Sequence, residues 1–155
     1  MWNRKRSVKL SLIVCFCVCV ALTAGLFAGP WMVRIWFQSY RGWGENTAAL
    51  DRMLTLFKVC FYPCAVFAYV TLYSLIRLLL NIKKDVIFVT ANVKYLRRIS
   101  WCCVVVSLIT LVAGMFYVPY LFVCIAAGFV GLMLRVVKNV MENAVQIKEE
   151  NELTI

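Results

Sequence analysis

ISWCCVVVSLITLVAGMFYVPYLFVCIAAGFVGLML, residues 99–134, contains no charged side chain and is bounded by Arg98 and Arg135. As one helix it would extend about 54 Å, whereas the hydrocarbon core of a bilayer is about 30 Å thick. Pro119 stands near its middle. Inside a helix, proline removes a hydrogen bond and clashes with the preceding turn. Broken there, the run becomes two spans of about 18 residues each, joined by almost no loop. A water-soluble domain has no use for such a hairpin, so the stretch predicts an integral membrane protein.

The rest of the chain agrees. Its 155 residues are 64% hydrophobic, with a mean hydropathy of +0.85, far above the soluble norm. Two further uncharged runs lie upstream, at about residues 10–29 and 59–76. Together with 100–118 and 120–137 they predict an all-α, single-domain bundle of four transmembrane helices. A cytoplasmic tail follows at 138–155. The first run, led by Arg4, Lys5, Arg6 and Lys9, also fits a signal peptide. Its length and the membrane region that follows favour a retained span. Residues 30–57 read as the sizeable outer loop, with Trp31, Trp36, Tyr40 and Trp43 as interfacial anchors. Asn46 or Thr47 can cap a helix that runs through Ala48, Leu50 and Met53 into the membrane.

Residues 81–98 form a basic connector with Lys83, Lys84, Lys94, Arg97 and Arg98 against Asp85. Phe88, Asn92 or Val93, Leu96 and Ile99 recur at helical spacing. This predicts a short amphipathic helix on the membrane surface ahead of the third span. Counting the flanking Arg77 and Arg135, thirteen Lys and Arg residues fall on the side of the two termini and the connector, and four fall opposite. Positive residues stay inside, so the expected orientation is N-in and C-in, in a cytoplasmic membrane. The net charge of +10 is then explained by membrane lipid as partner, without direct nucleic-acid contact.

Chemistry is sparse. The chain has no histidine, the commonest acid–base residue, and its spans hold no ionisable relay of the kind pumps need. No phosphate loop or catalytic constellation stands out, so no enzyme activity, catalytic residue or cofactor is expected. The eight cysteines all lie in apolar runs, where cysteine acts as a small hydrophobe. Cys60 and Cys64 share a helical face but have no histidine to complete a mixed zinc site, so no metal site is expected. Thr23, Tyr69, Thr71, Tyr73, Ser74, Ser107 and Thr110 read as hydrogen-bonding glue. Ala21, Gly25 and Gly29, with Ala127 and Gly131, give small-residue spacings for close helix packing. These serve either within one bundle or in a homo-oligomer.

The chain ends Ile147-Lys148-Glu149-Glu150-Asn151-Glu152-Leu153-Thr154-Ile155. This resembles the C-terminal signature of the bacterial domain of unknown function 2975 family, approximately hydrophobic-K-E-E-N-D/E-L-T-I. Phe88, Asn92 and Leu96-Arg97-Arg98-Ile99 resemble the family's connector. Before the phenylalanine, however, this chain has Asp85-Val86-Ile87 where the family often has Gly, Asn or Pro. The resemblance implies a four-span membrane protein without established biochemical activity. It also implies a role as membrane partner of a small helix-turn-helix, DNA-binding regulator. The candidate interaction residues are therefore Glu149, Glu150, Asn151, Leu153, Thr154 and Ile155 in the tail, with Asn92, Leu96, Arg97 and Arg98 in the connector. Opposite charge also makes the connector a candidate partner for the tail, and its basic character makes it a candidate lipid anchor. The alternative function is a small transport or self-protection protein acting through the bilayer or the outer aromatic segment.

Overall fold

The computed structural model describes residues 4–41, 48–84 and 89–153. It comprises four helices: α1 (Arg4–Arg41), α2 (Ala48–Lys83), α3 (Thr90–Gly114) and α4 (Pro119–Leu153). All four are long and apolar enough to cross a membrane. At 1.5 Å per residue α1, α2 and α4 exceed 50 Å, about 20 Å more than a bilayer core requires. Each of these helices therefore continues out of the apolar layer.

The helices pack in chain order, α1 on α2, α2 on α3 and α3 on α4, and no other helix pair approaches closely among the described residues. The outer members present large apolar side chains outward. Phe16 is 69% exposed, Phe27 83%, Phe122 74% and Ile125 68%. Burying one such side chain gains about 1.5–3 kcal/mol, so a soluble protein would not leave a whole face of them in water. In lipid their exposure costs nothing.

The turn between α3 and α4 forms where the proline predicts it. Pro119 occupies the first position of α4, where its missing N–H is not needed. Tyr117 and Val118 accept the first bonds of the new helix, from Tyr120 N (3.0 Å) and Leu121 N (2.9 Å). Closing the preceding helix, Phe116 N and Tyr117 N both donate to Ala113 O.

Close packing depends on small residues and hydroxyls, because apolar attraction between helices is weak in lipid. A Cβ placed on Gly131 would lie 3.2 Å from Cys103 Cβ and 3.4 Å from Ser100 O. Ser100 Oγ donates to Gly131 O at 2.8 Å, and Ser107 Oγ to Cys124 O at 3.0 Å. At the other seam Gly25 and Gly29 receive the rings of Phe57 and Phe61, and Thr23 Oγ1 shares a hydrogen bond with Tyr69 OH at 2.9 Å. Gly25, Gly29 and Gly131 thus pack within the bundle. Ser74 and Thr110 bond back to the carbonyls of Val70 and Val106.

Two expected loops and surface segments take another form. Residues 30–41 are helical, as the end of α1, not part of a large loop, whereas residues 48–57 begin α2, the helix expected to run through Ala48, Leu50 and Met53. Pro30 lies inside α1 at a cost of about 3 kcal/mol. Burial offsets it. Phe37, 5% exposed, packs on Tyr117 with ring centroids 5.9 Å apart, and Leu50 is 1% exposed. Trp43, Asn46 and Thr47 lie outside the described residues. Residues 90–98 are the first turns of α3, continuous with its apolar part, while Asp85 to Phe88 lie outside the described residues.

Candidate functional site

The connector and the tail meet. Leaving the apolar layer, α4 continues as one helix through the acidic segment to Leu153, and α3 runs antiparallel beside it. Val93 and Leu96 on α3 are each 4% exposed, and Val145 on α4 is 6% exposed. Burial of apolar side chains thus continues beyond the fourth span. Arg97 Nη2 donates to Glu142 Oε1 at 3.1 Å, and Lys138 Nζ approaches Glu142 Oε2 at 2.6 Å. Farther out, Thr90 Oγ1 donates to Glu149 Oε1 at 3.4 Å, a length that marks a weak bond.

Glu142 lies past the fourth span. Its carboxyl is held below the ordinary carboxylate value, first by the hydrogen bond from Lys138 and then by the charges of Lys138 and Arg97. It therefore stays ionised at neutral pH. The side chains of Arg97 and Glu142 are 54% and 41% exposed, so solvent screens this pair and it steers more than it stabilises.

Asn92 is fully buried. Its Oδ1 accepts a 2.7 Å hydrogen bond from Asn81 Nδ2, which ties the start of α3 to the end of α2. Buried amides need such partners, because an unmet one costs about 1–3 kcal/mol.

The candidate residues thus separate by role. Asn92 and Leu96 face inward, and Arg97 reaches Glu142. Arg98, Glu149, Glu150 and Asn151 are exposed. Leu153 ends α4, while Thr154 and Ile155 lie outside the described residues. Glu142 was not among the candidates, although its i, i+4 spacing from Lys138 is a readable sign of an ion pair.

A second feature occupies the opposite end. A cavity of about 430 Å³ is lined by Met32, Trp36, Phe37, Met53, Tyr117 and Tyr120 among others. Trp36 is legible as an interfacial aromatic. Phe37, Tyr117 and Tyr120 converge on it only because Pro30 does not end α1. No group of three His, Cys, Asp or Glu side chains gathers among the described residues, and all eight cysteines are free thiols.

Four lipid-length helices with outward apolar faces define a multi-pass, all-α membrane protein. Residues 42–155 match the family described as a protein of unknown function (DUF2975), and the chain belongs to that family. The match begins after α1 and includes both the connector and the tail. Neither a curated protein nor a solved structure matches the chain.

Proposed function

We propose that this is a non-enzymatic protein of the bacterial cytoplasmic membrane that works by protein interaction, using the α3–α4 stalk. The stalk is the pair formed by the first turns of α3 and the last turns of α4. The observation that carries this reading is the continuity of α4 into the acidic tail, with α3 bonded to it through Arg97–Glu142 and Thr90–Glu149. A tail that only kept the chain solvated would need no such support. The charge asymmetry of the sequence supports an orientation with the stalk and both termini inside the cell.

In this reading Arg97 holds the tail, while buried Leu96 and Asn92, the latter bonded to Asn81 of α2, seat the start of α3. Glu149, Glu150, Asn151, Leu153, Thr154 and Ile155 form the docking end. The partner is a small DNA-binding regulator, whose basic DNA-facing surface the glutamates attract. Photo-crosslinking from a probe at Asn151, in the native host, tests it. The expected result is capture of a small helix-turn-helix protein, lost when residues 153–155 are deleted and weakened by Glu149→Gln with Glu150→Gln. Capture of this protein alone would reject it.

The aromatic cavity near Trp36 favours a second reading, a transport or self-protection role at the outer face. Deleting the tail separates the two. A deletion that inserts normally and keeps its function supports the outer site.

A further inference from the structure

We propose that the groove around Trp101 on α3 binds one anionic phospholipid, its phosphodiester held by Lys94 and Arg98 and an acyl chain lying over Val105 and Phe67. The proposal rests on reading the chain as membrane-spanning, and not on the partner of the tail.

Lys94, Arg98, Trp101 and Val105 follow at i, i+4, i+7 and i+11, one stripe of a helix. The stripe covers about 16 Å along the axis. It descends from cationic to aromatic to apolar, the order in which a lipid presents headgroup, interface and chain. These four residues and Phe67 of α2 line one cavity of about 370 Å³. The groove is therefore built between two helices and is not a loose surface patch.

The cations are available. Neither Lys94 nor Arg98 has an acidic partner among the described residues, and both are exposed. Glu142, the nearby acid, is engaged by Arg97 and Lys138. Trp101 is 56% exposed and is flanked on its other side by a smaller cavity of about 160 Å³, lined by Arg97, Arg135 and Lys138. The Arg135 guanidinium lies 5.2 Å from the Trp101 ring centroid, a cation–π distance. That contact sets the indole between two basic surfaces and adds to the positive potential over the groove. A zwitterionic headgroup would bring its own cation into this field. A headgroup with net negative charge would not.

Native mass spectrometry of the full-length protein in detergent, titrated with dioleoyl phosphatidylglycerol or dioleoyl phosphatidylcholine, tests the proposal. Phosphatidylglycerol is expected to bind more tightly. Lys94→Gln with Arg98→Gln should weaken it about tenfold or more, since each cation near an anionic lipid contributes roughly fivefold. The charge-preserving pair Lys94→Arg with Arg98→Lys should retain binding, which separates loss of charge from loss of fold. Arg34→Gln with Arg52→Gln removes equal charge at the other end and should leave binding unchanged. Equal binding of the two lipids, or equal loss in the Arg34/Arg52 variant, overturns the site. So does displacement of the lipid by glycerol phosphate alone, which would point to a soluble phosphate. Because these readouts need no partner protein, a failed crosslink at Asn151 leaves them interpretable.

Discussion

At Gly131 the space for one methyl group is already taken. Its neighbours are Cys103 Cβ and the Ser100 carbonyl, both fixed by the backbone of α3, so neither can swing aside. Gly131→Ala should therefore cost about 1 kcal/mol net, overpacking outweighing the gain in helix propensity. Gly25 is the control. Its added Cβ would meet only the tip of Phe61, at 3.9 Å, which is ordinary contact. Gly25→Ala should be neutral or slightly stabilising, and denaturant titration in micelles, followed by circular dichroism, checks both. Asn92 makes the opposite argument, since here a side chain is required. Asn92→Ala leaves the Asn81 amide without this acceptor and should cost about 1–3 kcal/mol by the same assay. A change within a few tenths would mean that water replaces the bond. Small-residue spacing was readable at Gly25, Gly29 and Gly131, because it depends only on local sequence. Their partners were not, because Phe61 and Cys103 reach them from other helices.

At the level of helices, the pairing of α3 with α4 carries a charged contact with a pH signature. Glu142 has a depressed pKa, so its contribution is fully present above the ordinary carboxylate value. It is lost as the pH falls through the depressed folded value. Acidification from neutral pH to below the depressed value of Glu142 should thus loosen residues 138–150 while leaving the spans intact. Glu142→Gln should abolish that dependence, and hydrogen exchange of the tail amides reads both. The effect should also shrink in high salt, because the pair is exposed. Helix boundaries show what local sequence conveys. The turn at Pro119 was legible because a charge-free run longer than any bilayer must break, and proline marks the place. The course of α1 past Pro30 was not legible. Gly29-Pro30 and a cluster of tryptophans read as a loop, and the contact of Phe37 with Tyr117, eighty residues away in the chain, is invisible to local sequence. The connector misled for a similar reason. Lys94, Arg97 and Arg98 interrupt the apolar pattern, yet helical hydrogen bonding continues through charged residues without a break.

For the molecule as a whole, function follows from which surfaces the four helices leave available. The outer faces of α1 and α4 carry exposed apolar side chains suited to lipid, the aromatic cavity lies near Trp36, and the α3–α4 stalk lies at the other end. The class of the protein was legible from hydropathy alone. The stalk was half legible, since opposite charge suggested the pairing, but Arg97 pairs with Glu142, which lies ahead of the signature segment. The Trp101 groove was hidden, because Arg135 and Phe67 lie far from Trp101 in sequence. Fusions of a fluorescent protein that folds only in the cytoplasm should be bright at residue 155 and dark when inserted between residues 41 and 48. The reverse pattern would put the stalk outside the cell.

The most direct test of the account is whether the tail is held against the connector in the membrane. In a background with the eight native cysteines replaced, Arg97→Cys and Glu142→Cys would be treated in intact membranes with a short bis-methanethiosulfonate crosslinker. Rapid intramolecular crosslinking is expected, while the control pair Arg98→Cys and Glu142→Cys lags behind it. Equal, slow reaction of both pairs would mean that the tail moves freely, and the stalk as a docking element would be contradicted.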